Sequence, residues 1–214
     1  VWRPSTMTTD VAVDLRSRYL VLALDHGTQP GRQIAGLLAL SYDDDPLIDV
    51  VDEYVGTGIE TPSDDARGVL EMLGRHGLDW TDLDEARGDR LHLSGEGRKS
   101  NRDLMAALCD ELGIYDRSGV VQIAALIPQV ETAKHGEHRG AGSVQVGTRW
   151  LYTQIGADRV RVHRRCNRVL GALLGYTGAD DPSKDPIDML RYGLDKLIFR
   201  RRGQGGPAPT VRIG

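Results

Sequence analysis

Four aspartates stand where a solvated surface would not need them. Asp25 ends a continuous apolar run, and Asp89 lies in a Gly-Asp turn beside a short strand-like segment. Asp185 and Asp188 open a helical segment at i, i+3 spacing, which places them on one helix face. Taken singly, an aspartate in a turn is turn chemistry and one at a helix start is favoured by the helix dipole. Taken together, carboxylates gathered at one sheet edge repel one another unless cations lie between them, and hard divalent ions with oxygen ligands meet that need. Two such ions about 4 Å apart can activate a water and steady the leaving oxygen of a phosphodiester.

Basic residues suggest the other half of such a site. Arg159, Arg161, Arg164, Arg165 and Arg168 lie within ten residues of a chain whose formal net charge is -4, and Lys134, Arg139 and Arg149 precede them. Local positive charge on an acidic chain points to a phosphate-binding face, with a solvated helix face as the alternative. Arg98, Lys99, Ser100 and Asn101 form a second candidate contact set at a helix start, where backbone N–H groups favour phosphate. Gly95-Glu-Gly-Arg-Lys-Ser lacks the spacer of a P-loop, so no ATP-binding cradle is expected. His26, beside Asp25, is read as a turn residue near the site, while His135, His138 and His163 have no zinc-ligand spacing. His92 and Ser94 lack an orienting acid and are not a nucleophile pair.

The elements that must position these residues follow from the apolar pattern. The 214-residue chain is long enough for one sizeable core, with 27 Lys+Arg against 31 Asp+Glu. Cys109 and Cys166 read as reduced thiols, and no apolar run approaches the ~20 residues of a membrane span. Residues 1–18 read as a linker, residues 19–200 as the folded domain and residues 201–214 as a flexible tail. Residues 19–24, 33–42 and 47–55 form a three-strand meander with a hairpin at residues 43–46. A crossover helix begins at Thr61-Pro-Ser-Asp-Asp and stops at His76-Gly77. A short strand within residues 87–93, a helix over 99–112 capped by Gly113, and a β segment at 120–127 follow. Helices over 142–155 and 164–174 flank a strand at 159–163, and a last helix spans about 186–200. The order predicts an α/β fold, a mixed sheet flanked by helices.

Several segments resemble one family. Arg149-Trp-Leu-Tyr, then Val160-Arg-Val-His-Arg-Arg-Cys-Asn-Arg-Val-Leu170 and Lys184-Asp-Pro-Ile-Asp-Met-Leu-Arg-Tyr-Gly-Leu194, resemble the carboxyl-terminal part of phage terminase large-subunit nuclease domains, with their "VHPRC" segment and closing "D-A-L-R-Y" helix. Leu24-Asp-His-Gly-Thr28 is similar to that family's first acidic motif, and residues 49–56 to its following strand. Arg87-Gly-Asp-Arg-Leu-His and Gly97-Arg-Lys-Ser-Asn-Arg-Asp-Leu104 resemble the middle motif of actinobacteriophage members. The sequence departs from the pattern at Arg164, where relatives often carry Pro, and at Met189, where they usually carry Ala; neither position is a ligand.

The resemblance implies an RNase H-like fold and a metal-dependent endonuclease that cuts concatemeric double-stranded DNA during genome packaging. It implies Asp25, Asp89 and Asp188 as ligands of two Mg²⁺ or Mn²⁺ ions, with Asp185 in a supporting role; Asp84 and Glu85 stay open as alternatives to Asp89. Lys134, Arg149, Arg159, Arg161, Arg164, Arg165, Arg98 and Lys99 would contact the DNA backbone. It further implies an upstream ATPase motor domain, a portal ring and a small terminase subunit as partners, no membrane, and action in the host cytoplasm rather than the mature virion. Another RNase H-like enzyme, such as a junction resolvase, and a non-catalytic docking module for DNA or a portal are the competing expectations.

Overall fold

The structure is a computed structural model that describes residues 8–10, 12–26, 33–57, 61–88, 101–112, 130–132, 141–178 and 183–198. Asp89, Arg98, Lys99, Gly113, Lys134, the β segment at 120–127 and the tail at 201–214 lie outside them.

Among the described residues seven strands form one sheet: β1 (Thr8–Thr9), β2 (Tyr19–Asp25), β3 (Ile34–Leu40), β4 (Ile48–Val55), β5 (Glu85–Gly88), β6 (Val130–Thr132) and β7 (Val160–His163). Their order is β1-β7-β4-β3-β2-β5-β6. β2, β3 and β4 are the antiparallel meander, and every other pairing is parallel. Only β3 therefore opposes the rest, and the carboxyl ends of the other six strands share one edge.

The apolar run of β2 is a strand because both of its faces are covered. Leu20, Leu22 and Leu24 enter one core with Ala66, Val69, Met72 and Leu73 of helix α1 (Pro62–Gly74) and Leu104, Leu108 and Cys109 of α2 (Asn101–Leu112). Val21 and Ala23 enter the opposite core. There they meet Leu151 and Ile155 of α3 (Ala141–Gly156), Val169 and Leu173 of α4 (Asn167–Gly175), and Ile187, Met189 and Leu190 of α5 (Lys184–Gly193). A final turn of helix, α6 (Asp195–Ile198), completes this layer. Each buried leucine contributes about 2 kcal/mol, so β2 anchors both layers.

Local chemistry sets the helix ends. Thr61 and Asp64 form a reciprocal capping box with Pro62 at the first helical position of α1, and Gly77, at φ 66°, takes the left-handed conformation beyond its end. In β4 the pairing slips between Leu37 and Leu38, leaving Val51 as an extra residue. Val51 and Asp52 consequently both face α1, while Glu53 faces α4.

Four boundaries differ from the sequence expectations. The folded region begins before Tyr19: β1 pairs with β7, and Leu15 is buried. The strand expected within 87–93 is β5, which starts earlier and pairs with β2. Residues 164–166 are not helical; the Arg164 amide donates to the Thr9 carbonyl at 3.1 Å, which extends the β1 pairing instead. The last helix breaks at Leu194, with φ -105° and ψ 12°. Gly193 precedes the break, and a glycine carries a propensity cost of about 1 kcal/mol there.

Candidate active site

Asp25 is the last residue of β2, and by strand alternation it shares the face of Val21 and Ala23, the face covered by α5. Two close approaches fix α5 on the sheet. A Cβ on Gly193 would lie 2.5 Å from the Ala23 Cβ and 2.9 Å from Leu38 Cδ1. One turn earlier, the Met189 sulfur sits where a Cβ on Gly36 would come within 2.7 Å. Gly36 pairs with Ala23, whereas Leu38 pairs with Val21. The helix therefore runs antiparallel to β2, with its amino end, bearing Asp185 and Asp188, toward Asp25.

All three carboxylates are buried, at 8% exposure for Asp25, 4% for Asp185 and 6% for Asp188. Arg191 Nη1 hydrogen-bonds Asp188 Oδ1, and Lys184 Nζ lies 3.9 Å from Oδ2. The Arg191 side chain lies against Gly147 of α3, which has no side chain to obstruct it, and its buried Nε has no hydrogen-bond partner among the described residues. Buried, oxygen-only donors suit a hard divalent cation. Among the described residues no three His, Cys, Asp or Glu side chains cluster closely enough to hold one. Asp89 follows Gly88, the last residue of β5, which pairs with Leu24.

The two alternative middle acids lie at the other end of the strands. Asp84 accepts the Leu20 amide at 2.7 Å. Glu85, opposite Val21, accepts from Arg87 Nε at 3.3 Å and pairs with Lys196, and Arg87 Nε lies 3.7 Å from Asp195. This network ties β5 to α6. His26 contacts Gln33 Nε2 at 3.4 Å.

Much of the basic segment is taken up by acids of this chain. Arg161 binds Asp49 through two bonds of 2.6 and 2.9 Å, and that carboxylate holds the guanidinium pKa above its ordinary value. Arg159 pairs with Asp45 at 2.8 Å and Arg164 with Asp10 at 2.9 Å. Arg165 Nε donates to His163 Nδ1 at 3.1 Å. The His163 pKa is depressed by burial and then by the Arg165 charge, the direction that favours the neutral ring able to accept that bond. Arg149 is exposed on α3 and Arg168 lies in the first turn of α4.

Sequence reasoning missed two acids in β4. Asp52 accepts from His76 Nε2 at 2.9 Å and Arg75 Nε at 3.0 Å. Burial acts to raise its pKa, but the bonds from His76, Arg75 and the Glu53 amide prevail and hold it at about 2. Glu53 accepts the Arg168 and Val169 amides at 2.8 and 3.1 Å and so caps α4, while burial pushes its pKa up. The available signal was three acids, Asp49, Asp52 and Glu53, inside an otherwise largely apolar strand. Cys166 is buried, and burial raises its thiol pKa, so it is no nucleophile.

No protein-family model and no curated protein matches the sequence. Among solved structures, the chain is similar to the large terminase nuclease domain of P22, with a TM-score of 0.61, 15% identity, and 92% of this chain and 90% of that chain covered. It is also similar to the large terminase (g2p) nuclease domain of bacteriophage SPP1 with bound Mn, with a TM-score of 0.50 and 17% identity over 89% of this chain and 97% of that chain. The fold is RNase H-like, that of large terminase nuclease domains. Among the described residues no helix is long and apolar enough to cross a membrane.

Proposed function

We propose that this chain is the metal-dependent endonuclease domain of a viral DNA-packaging terminase large subunit, cutting concatemeric double-stranded DNA. The observation that carries the reading is that buried Asp25 ends β2 at the carboxyl edge of the sheet, and that the amino end of α5, with buried Asp185 and Asp188, is directed toward that edge. Asp25, Asp188 and Asp89 would hold two Mg²⁺ or Mn²⁺ ions. Bound there, the ions supply an activated water and charge stabilisation at the leaving oxygen. The SPP1 domain, which carries Mn, supports divalent metal use. Asp185 orients groups at the same helix start, and Arg149, Arg164 and Arg165 line the approach of the duplex backbone. By the terminase resemblance, the partners are an upstream ATPase motor domain, a portal ring and a small terminase subunit, acting in the host cytoplasm.

Cleavage of supercoiled plasmid with Mn²⁺, Mg²⁺ or EDTA, run beside Asp25→Asn, tests the reading. Nicking and linearisation that require metal and vanish in the variant are expected. Cleavage that persists in the variant, or no cleavage with either metal, overturns it.

A further inference from the structure

On the α1 side of the sheet, a band of arginines exceeds the carboxylates that hold it. Arg18 and Arg161 pair with Asp49, Arg164 with Asp10, and Arg75 and Arg165 with Asp52, so five guanidiniums face three carboxylates on a chain of net charge -4. At Asp52 the geometry is specific. One buried oxygen, Oδ2, lies 3.0 Å from Arg75 Nε and 3.6 Å from Arg165 Nη1. The same oxygen binds His76 Nε2 at 2.9 Å. Arg165 uses its Nε on His163. Both arginines are thus gripped from the inside, while their side chains stay 48% and 43% exposed. The terminal nitrogens of Arg75 make no hydrogen bond among the described residues. A guanidinium held by Nε alone keeps the donor fork that matches a phosphate's oxygens, with its rotamer entropy already lost.

We propose that Arg75 and Arg165, seated side by side on Asp52, form a clamp for a backbone phosphate of the duplex presented to the carboxylate site. The inference rests on the DNA-cutting reading above and adds a contact on the opposite face of the sheet. Arg165 follows the carboxyl end of β7, at the same edge as Asp25. β4 lies two strands from β2, roughly 10 Å across the sheet. One helical turn of duplex, ~34 Å, can span both. Asp52 and His76 act as positioning residues, fixing the arginines without touching DNA.

The test is binding of a 30-base-pair duplex in EDTA, with affinity followed against salt concentration, for the wild type, Arg75→Gln, Arg165→Gln and the double variant. The slope of log affinity against log salt should become less negative by about 0.9 in the double variant, which frees the one clamped phosphate, and by a smaller step in each single variant. Arg75→Lys, which keeps the charge but not the fork, should keep the slope and lose affinity. Melting temperatures are measured alongside. Unchanged slopes with a lowered melting temperature would overturn the clamp and leave the cluster as a tie between α1 and β7. If those slopes are unchanged while plasmid cleavage still depends on Asp25, only the clamp falls. A wild type that neither binds duplex nor cuts plasmid overturns both the clamp and the reading beneath it.

Discussion

Two pairs of buried acids, Asp49 and Asp52 in β4 and Asp185 and Asp188 in α5, are held in opposite ways. On the α1 side, Asp49 and Asp52 take their cations from other elements: β7, the segment after it, the end of α1 and the residue before β2. Those pairs tie layers together. On the α5 side, Asp188 takes its cations from its own helix, Lys184 and Arg191, and such a pair joins nothing that helix packing has not already joined. There the position of the acids is set by apolar contact, with Gly193 on Ala23 and Met189 on Gly36. The contrast separates acids that hold the fold from acids the fold holds in place.

The sharpest way to break that contrast is Asp25→Asn. Cleavage should fall to background while the thermal midpoint, followed by circular dichroism, holds or rises, because one buried charge is removed. A large loss of stability would move Asp25 into the structural group. Next comes Gly193→Ala. The added Cβ meets Ala23, which cannot swing away, so a destabilisation of about 1–3 kcal/mol in urea titration and loss of cleavage are expected together. Gly36→Ala meets the flexible end of Met189 and should cost less.

Asp52 sharpens the other side through pH. Its pKa is lowered in the fold, to about 2 from 3.8, so its stabilisation is present above pH 4 and is lost as pH falls toward 2. That is worth roughly 2 kcal/mol, and acid unfolding of Asp52→Asn should lack this dependence. The smallest effect belongs to Glu53→Gln. The raised pKa of Glu53 means that its charge is not what the fold favours, and the amide oxygen still accepts at the start of α4, so a change under about 1 kcal/mol is expected near pH 7.

The sequence displayed these regions unequally. The β2 run, the hairpin after β3 and the Thr61 capping box are local signals, and each was readable from its own residues. That Asp25 ends a strand and that Asp185 and Asp188 share a helix start was readable too, because a strand end and an i, i+3 spacing are local. The arginine segment was not readable in its details. Arg161 meets Asp49, which lies 112 residues away in the chain, and no periodicity records that pairing. The bulge at Val51 hid Asp52 and Glu53 by shifting the alternation of β4 midway. The two residues of β1 carry too little pattern to be seen.

The docking of α5 antiparallel to β2 brings together parts of the chain that are far apart in time as well as in sequence. Asp25 is among the first residues of the sheet to be made, and Asp188 belongs to the last long helix. At ribosomal rates of ~5–20 residues per second, on the order of ten seconds separate the two. During that interval the nascent chain has the strand without the helix that completes its carboxylate edge. A carboxylate edge assembled in this way is incomplete until nearly the whole of the described fold has been synthesised.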